Sequence, residues 1–97
     1  MQLHETLIRQ RVRGFLEENF LYMRPNFELG DDDRLLERGV VDSMGVAEMV
    51  TFIEDEFGIK TSDEDITEAN LGSLTAISRF VWLARALTAS SPRSTSR

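Results

Sequence analysis

Gly39-Val40-Val41-Asp42-Ser43-Met44-Gly45-Val46-Ala47-Glu48-Met49-Val50-Thr51-Phe52-Ile53-Glu54-Asp55-Glu56-Phe57-Gly58 is a turn followed by a helix with two faces. Asp42 and Ser43 are both good N-cap residues, because a short side-chain oxygen can accept from the free N–H groups of a first helical turn. Gly58 suits the left-handed position just past a helix end. At about 100° per residue, Val46, Val50, Ile53 and Phe57 fall within roughly 60° of one another, which makes a core stripe. Met44, Glu48, Thr51 and Asp55 form a second stripe about 180° away, expected to face solvent. It is acidic, with one apolar residue, Met44, directly after the serine.

Outward from this helix, the rest of the chain reads as an all-α domain. Toward the N-terminus, a helix is predicted from about Leu3 to Phe20, with Ile8, Val12, Phe15, Leu16 and Asn19 on one face and Met23 next in line. Arg9, Arg13 and Glu17 lie largely outside that stripe. Pro25 disfavours helix at Arg24 and so bounds it. Residues 24–42 form a long connection with a turn signal at Gly30-Asp31-Asp32-Asp33. Such a loop needs an anchor, and Phe27, Leu29, Leu35 and Leu36 are expected to supply it, with Val40 and Val41 pinning the turn before the serine. Toward the C-terminus, Ile59 anchors a short loop. Ile66–Leu71 is long enough for one short helix, which Gly72 stops. Ser73 then caps a helix from Leu74 to Leu87, whose core stripe is Leu74, Ile77, Val81 and Ala84, with Phe80 beside it. The expectation is a single domain over 1–87, built from three main helices and one short one, followed by a polar, disordered tail over 88–97.

Composition narrows the function. The chain has 97 residues, 41% hydrophobic, no cysteine and one histidine. No disulfide, Cys-ligated zinc or thiol chemistry can be built from it. His4 sits near a free end, without the fixed partners that catalysis needs, so neither a Ser-His-Asp nor a Cys-His arrangement can form around Ser43. Trp82 and the phenylalanines read as packing. A calcium loop fails on spacing. Counted from Asp63, the sixth and twelfth positions are Glu68 and Leu74; counted from Asp31, they are Leu36 and Asp42. No metal site is expected.

The net charge is −6, and it is uneven. From Asp42 to Glu68 nine acids stand against one base, Lys60, whereas residues 1–30 balance four acids with four arginines. Nucleic acid is an unsuitable partner for such a surface. A one-sided acidic face suits basic partner proteins, the plainer reading being a solvated face. The opening residues lack the basic and apolar regions of a signal peptide. The longest apolar run, Phe80–Ala84, is far short of the ~18 residues of a membrane span. A cytoplasmic monomer is the expectation.

The Asp42-Ser43-Met44 tripeptide, set after a Gly-Val-Val turn and before an acidic amphipathic helix, resembles the modification site of the acyl carrier protein family. The length, helix order and acidic balance of the span from about Leu3 to Leu87 carry the resemblance further than the tripeptide does. It implies a four-helix bundle and a carrier rather than an enzyme. It implies that Ser43 holds a 4′-phosphopantetheine arm, taken from coenzyme A by a phosphopantetheinyl transferase. A ligase or synthase would then load acyl or aminoacyl groups as thioesters. It gives Asp42 a part in transferase binding and makes Glu48 and Asp55 contacts to partner enzymes. Thr51 lies between them on the same stripe. Met44 replaces the more usual leucine. Housekeeping fatty-acid carriers carry Leu-Gly two places before the aspartate, whereas Gly39 stands one place further back. The pattern is more similar to stand-alone carriers of dedicated pathways and to the D-alanyl carrier group. The alternative is an unmodified acidic interaction module in which Ser43 is only a cap. Met44 has two readings: it buries against partner enzymes, or it folds back onto the loop at Leu35 and Leu36.

Overall fold

The computed structural model describes residues 2–90, with side chains from 5 to 87. Four helices follow in order: α1 (Gln2–Asn19), α2 (Ser43–Phe57), α3 (Glu68–Leu71) and α4 (Leu74–Ser90), with a 3₁₀ turn at Asp63–Asp65. The described residues form no strand, so the expected all-α bundle is what the chain adopts. Helix α4 runs past Leu87 to Ser90, and residues 91–97 of the expected tail lie outside the described residues, as does the side chain of His4.

One core holds the helices together. Ile8, Val12 and Leu16 of α1 face Met49, Val50, Ile53 and Phe57 of α2 and Leu74, Ile77 and Val81 of α4, all of them buried. Phe15 of α1 stacks on Phe52 of α2 at 4.3 Å between ring centroids. Arg11 of α1 pairs with Glu56 of α2. Rising numbers in α1 thus meet falling numbers in α2, and the two helices are antiparallel. The spacing reading of α1 holds for its apolar members. Asn19, however, is exposed and donates its amide to Phe15 C=O at 2.9 Å. Met23 is exposed too, because the helix stops at Asn19, and Leu21 folds inward in its place.

The core face of α2 is Gly45, Met49, Val50, Ile53 and Phe57, with Val46 only half-buried. At 100° per residue its centre lies roughly 35° from the stripe that the β-branched and aromatic residues suggest. Met49 and Gly45 cause the difference. Phe20 and Val41 press so close to Gly45 that a Cβ there would sit 3.0 Å and 3.1 Å from them.

The long connection is ordered by its own hydrogen bonds. Residues 34–38 make one helical turn, closed by a Schellman cap. Gly39 N–H donates to Leu36 C=O at 3.1 Å and Val40 N–H to Leu35 C=O at 2.9 Å, with Gly39 at φ +75°. Leu35 and Val40 are both buried, the apolar contact such a cap usually carries. Leu29 and Leu35 are anchors as expected. Leu36 is not: it is 50% exposed, because the turn that buries Leu35 aims the next side chain outward. Two backbone bonds reach across the fold. Leu35 N–H donates to Gly72 C=O at 2.8 Å, and Thr75 N–H donates to Asp31 C=O at 3.0 Å. Asp31 also pairs with Arg9 and Arg13 of α1. The Gly30–Asp33 run is therefore a structural junction.

Gly39 is the position where this loop is most exacting. An alanine there meets no neighbour but must hold a left-handed backbone. Gly39→Ala is expected to cost about 1 kcal/mol in urea unfolding. A loss of no more than about a few tenths of a kcal/mol would show that the cap does not hold the turn.

Candidate functional site

The junction between the loop and α2 is built from three successive choices of residue. Val40 and Val41 are buried and fix the backbone on one side. Asp42 is extended at φ −110° and is the N-cap: its Oδ1 accepts from Gly45 N–H at 2.8 Å, and its carbonyl accepts from Val46 N–H at 2.9 Å. Ser43 is the first helical residue. The sequence offered both Asp42 and Ser43 as caps, and the structure gives the task to Asp42 alone. The Ser43 hydroxyl is left exposed and without a hydrogen bond among the described residues. The N–H groups of Ser43 and Met44 carry the unpaired positive end of α2.

Arginines steady the loop that leads here. Arg24 Nη2 donates to Gly39 C=O at 2.9 Å. Arg24 and Arg38 each lie 4.6 Å from the centroid of the Phe27 ring, and Arg38 also pairs with Asp33. Arg34 Nε contacts Glu68 Oε2 at 3.2 Å and so links the loop to α3. Periodicity carries no signal for these pairings, since each joins residues far apart in the chain or within an irregular connection.

The second stripe of α2 lies where the spacing puts it. Met44, Glu48, Thr51 and Asp55 are all exposed. Met44 is 76% exposed and does not fold back onto the loop. Two concavities lie along α2, on different sides of it. On the side of α3, a cavity of about 120 Å³ is lined by Leu35, Leu36, Val41, Val46, Ile66 and Leu71, among others. Two of its lining residues, Val41 and Val46, bracket Ser43 in sequence. On the side of α1, an open groove of about 570 Å³ is lined by Phe15, Asn19, Glu48, Thr51, Phe52, Asp55 and Glu56. Sequence reasoning missed the cavity because its walls come from three separate segments. No group of acids or histidines among the described residues is arranged to hold a metal ion. No helix among them is long and apolar enough to cross a membrane.

The far end of α2 is closed by Gly58, left-handed at φ +68°, and by Glu54. Glu54 Oε2 accepts from Thr61 N–H at 2.9 Å and Thr61 Oγ1–H at 2.7 Å. These bonds favour the charged form and lower the Glu54 pKa, with a smaller pull from Lys60. A lowered carboxylate pKa stabilises the fold above the ordinary value near 4.5, and the stabilisation is lost as pH falls through the lowered one. Thr61→Val removes the stronger bond. The variant is expected to be less stable than the wild type at neutral pH, with the gap closing under acid. Equal stability across the pH range, read by thermal unfolding, would mean that this clasp contributes nothing.

Compared with known protein families, the chain matches the model described as "Phosphopantetheine attachment site" over residues 8–81, which spans all four helices apart from the outer ends of α1 and α4. A search of curated proteins finds no match.

Proposed function

The chain belongs to the phosphopantetheine attachment-site family, whose members are non-catalytic carriers that work with partner enzymes, and from that premise we propose that Ser43 is the attachment residue. The observation that supports this most is the division of labour at the α2 N-terminus: Asp42 caps, so the Ser43 hydroxyl is exposed and uncommitted. The residues fit the group. A phosphodiester on Ser43 Oγ would lie at the positive end of a helix whose first two N–H groups are unpaired. The arm supplies a terminal thiol, on which acyl groups are held as thioesters.

Ser43 has no base of its own. Asp42 Oδ1 is engaged with Gly45, and the chain's one histidine is at position 4. Ser43 Oγ therefore attacks the pyrophosphate of coenzyme A only when a phosphopantetheinyl transferase takes its proton. The new O–P bond forms as the bond to the adenosine half breaks. A ligase or synthase then loads the thiol with an acyl or aminoacyl group. Val41 and Val46, which bracket Ser43 in sequence, supply part of the lining of the cavity on the side of α3, whose volume of about 120 Å³ leaves room for a short aliphatic group. Asp42, Met44, Glu48, Thr51 and Asp55 form the face offered to partners. The carrier domain spans residues 1–87, and it works as a cytoplasmic monomer.

Ser43→Ala is expected to fold as the wild type does and to gain no mass with transferase and coenzyme A. Because the chain has no cysteine, the modified wild type should titrate as one thiol per chain and the unmodified form as none. Mass gain in the alanine variant would place the attachment elsewhere.

Met44 carries a separate expectation. Its burial against a partner during transfer predicts that Met44→Ala slows modification with a melting temperature within a degree or two of the wild type, since a side chain 76% exposed contributes little to the fold. A lowered melting temperature with an unchanged rate would return Met44 to the fold.

A further inference from the structure

The groove between α1 and α2 has a pattern along its length that the acidic stripe alone does not reveal. Glu48 stands at one end and Asp55 seven residues on, two helical turns or about 10.5 Å at 1.5 Å per residue. Neither forms an ion pair with a cation among the described residues, whereas the neighbouring Glu56 is engaged by Arg11. Between the two free carboxylates the lining of the groove is more apolar than polar, with Glu56 at its edge held by Arg11. Thr51 turns its hydroxyl back to Ala47 C=O at 3.2 Å, which leaves its methyl group to the groove. Asn19, on the opposite wall, turns its amide back to Phe15 C=O. The stacked, half-buried rings of Phe15 and Phe52 make the floor. The order along the groove is carboxylate, apolar floor, carboxylate.

A complementary surface has a cation, an apolar side chain one turn on, and a second cation two turns on. That is one face of a basic amphipathic helix, with residues at i, i+4 and i+7. The geometry points to this groove as the seat of such a helix from a partner protein, its apolar residue on Phe15 and Phe52 and its two cations on Glu48 and Asp55. This rests on the reading of the α2 stripe as the partner face and extends it in two respects. It makes α1 a part of the interface, and it requires an apolar anchor between the charges.

The anchor separates this from plain electrostatic attraction. Contacts between exposed charges fade as salt rises, because screening acts over about 8 Å at physiological ionic strength, whereas burial of an apolar side chain does not fade. The probe is a pair of alanine-based helical peptides with lysines at i and i+7, one with leucine and the other with alanine at i+4. Both are titrated into the full chain and followed by backbone amide spectra. The leucine peptide is expected to bind roughly ten-fold tighter, to shift the amides around Phe15 and Phe52, and to keep its advantage at high salt. Thr51→Lys puts a cation into the middle of the groove on an exposed position and should abolish that advantage. Equal binding of the two peptides, or an advantage untouched by Thr51→Lys, overturns the proposal. Mass gain at Ser43 is measured on the same preparation. If Ser43 is modified and the peptides bind alike, the groove proposal fails alone. If the leucine preference is found and Ser43 gains no mass, the attachment residue is wrong and the groove stands.

Discussion

Leu35 is the residue through which the position of the α2 N-terminus is transmitted. Its side chain is 1% exposed, its N–H is bonded to Gly72 C=O, and its carbonyl receives Val40 N–H. One residue thus ties the long connection to the α3–α4 junction and closes the turn that delivers Val40, Val41 and Asp42. Removing any of these three ties leaves a buried polar group unpaired or a core position empty, each a cost of the order of 1–3 kcal/mol. Gly72 is held to the same standard from the other side, because a Cβ there would meet Glu68 C=O at 2.4 Å. The functional end of the molecule is therefore specified by contacts far from it in sequence.

This explains what was legible beforehand. Helix order, the Gly58 and Ser73 caps and the exposed stripe of α2 depend on spacing and on single residues, and periodicity reports both. Ala76 N–H donates to Ser73 Oγ at 3.1 Å, as the capping pattern implies. What the spacing hid has one physical form. Met49 is fully buried and Gly45 lies against Phe20 because the loop covers that side of α2, and an isolated helical wheel contains no loop. Hydrophobicity alone points Leu36 inward, yet in a turn closed by Gly39 only Leu35 reaches the core. The Schellman pattern was present in the letters, as a glycine followed by valine with a leucine four residues before the glycine. It is a signal of chain geometry rather than of periodicity.

Two sets of acids differ in task. Asp31, Asp33, Glu56 and Glu68 are met by Arg9, Arg13, Arg38, Arg11 and Arg34 and hold elements together. Each pair is at least partly exposed, so its contribution is in the range of 0–1 kcal/mol, and their value lies in fixing direction more than in strength. Glu48 and Asp55 have no such partner among the described residues. Their charge is thus uncompensated along the exposed stripe of α2, where a partner's cations can meet it without first displacing an internal pair. Association on such a surface is faster at low salt, and specificity has to come from shape.

The last step concerns why Asp42 and Ser43 occur in that order. Were the serine the cap, its hydroxyl would accept from the N–H two or three residues on, and one of its two lone pairs, with the direction of the side chain, would be tied to the helix. With aspartate as cap, the first turn is closed by a group whose charge also suits the helix dipole. The serine then enters at the first helical position, where side chains project outward past the last fixed residue of the loop. Burial of Val40 and Val41 keeps that projection constant. Gly45, three residues on, has no side chain and so lets the turn settle onto Phe20 and Val41. Attachment at Ser43, as proposed, needs nothing from the chain except exposure, a fixed direction and an electropositive helix end. All three follow from the sequence Val40-Val41-Asp42-Ser43-Met44-Gly45 once Leu35 and Phe20 are in place around it.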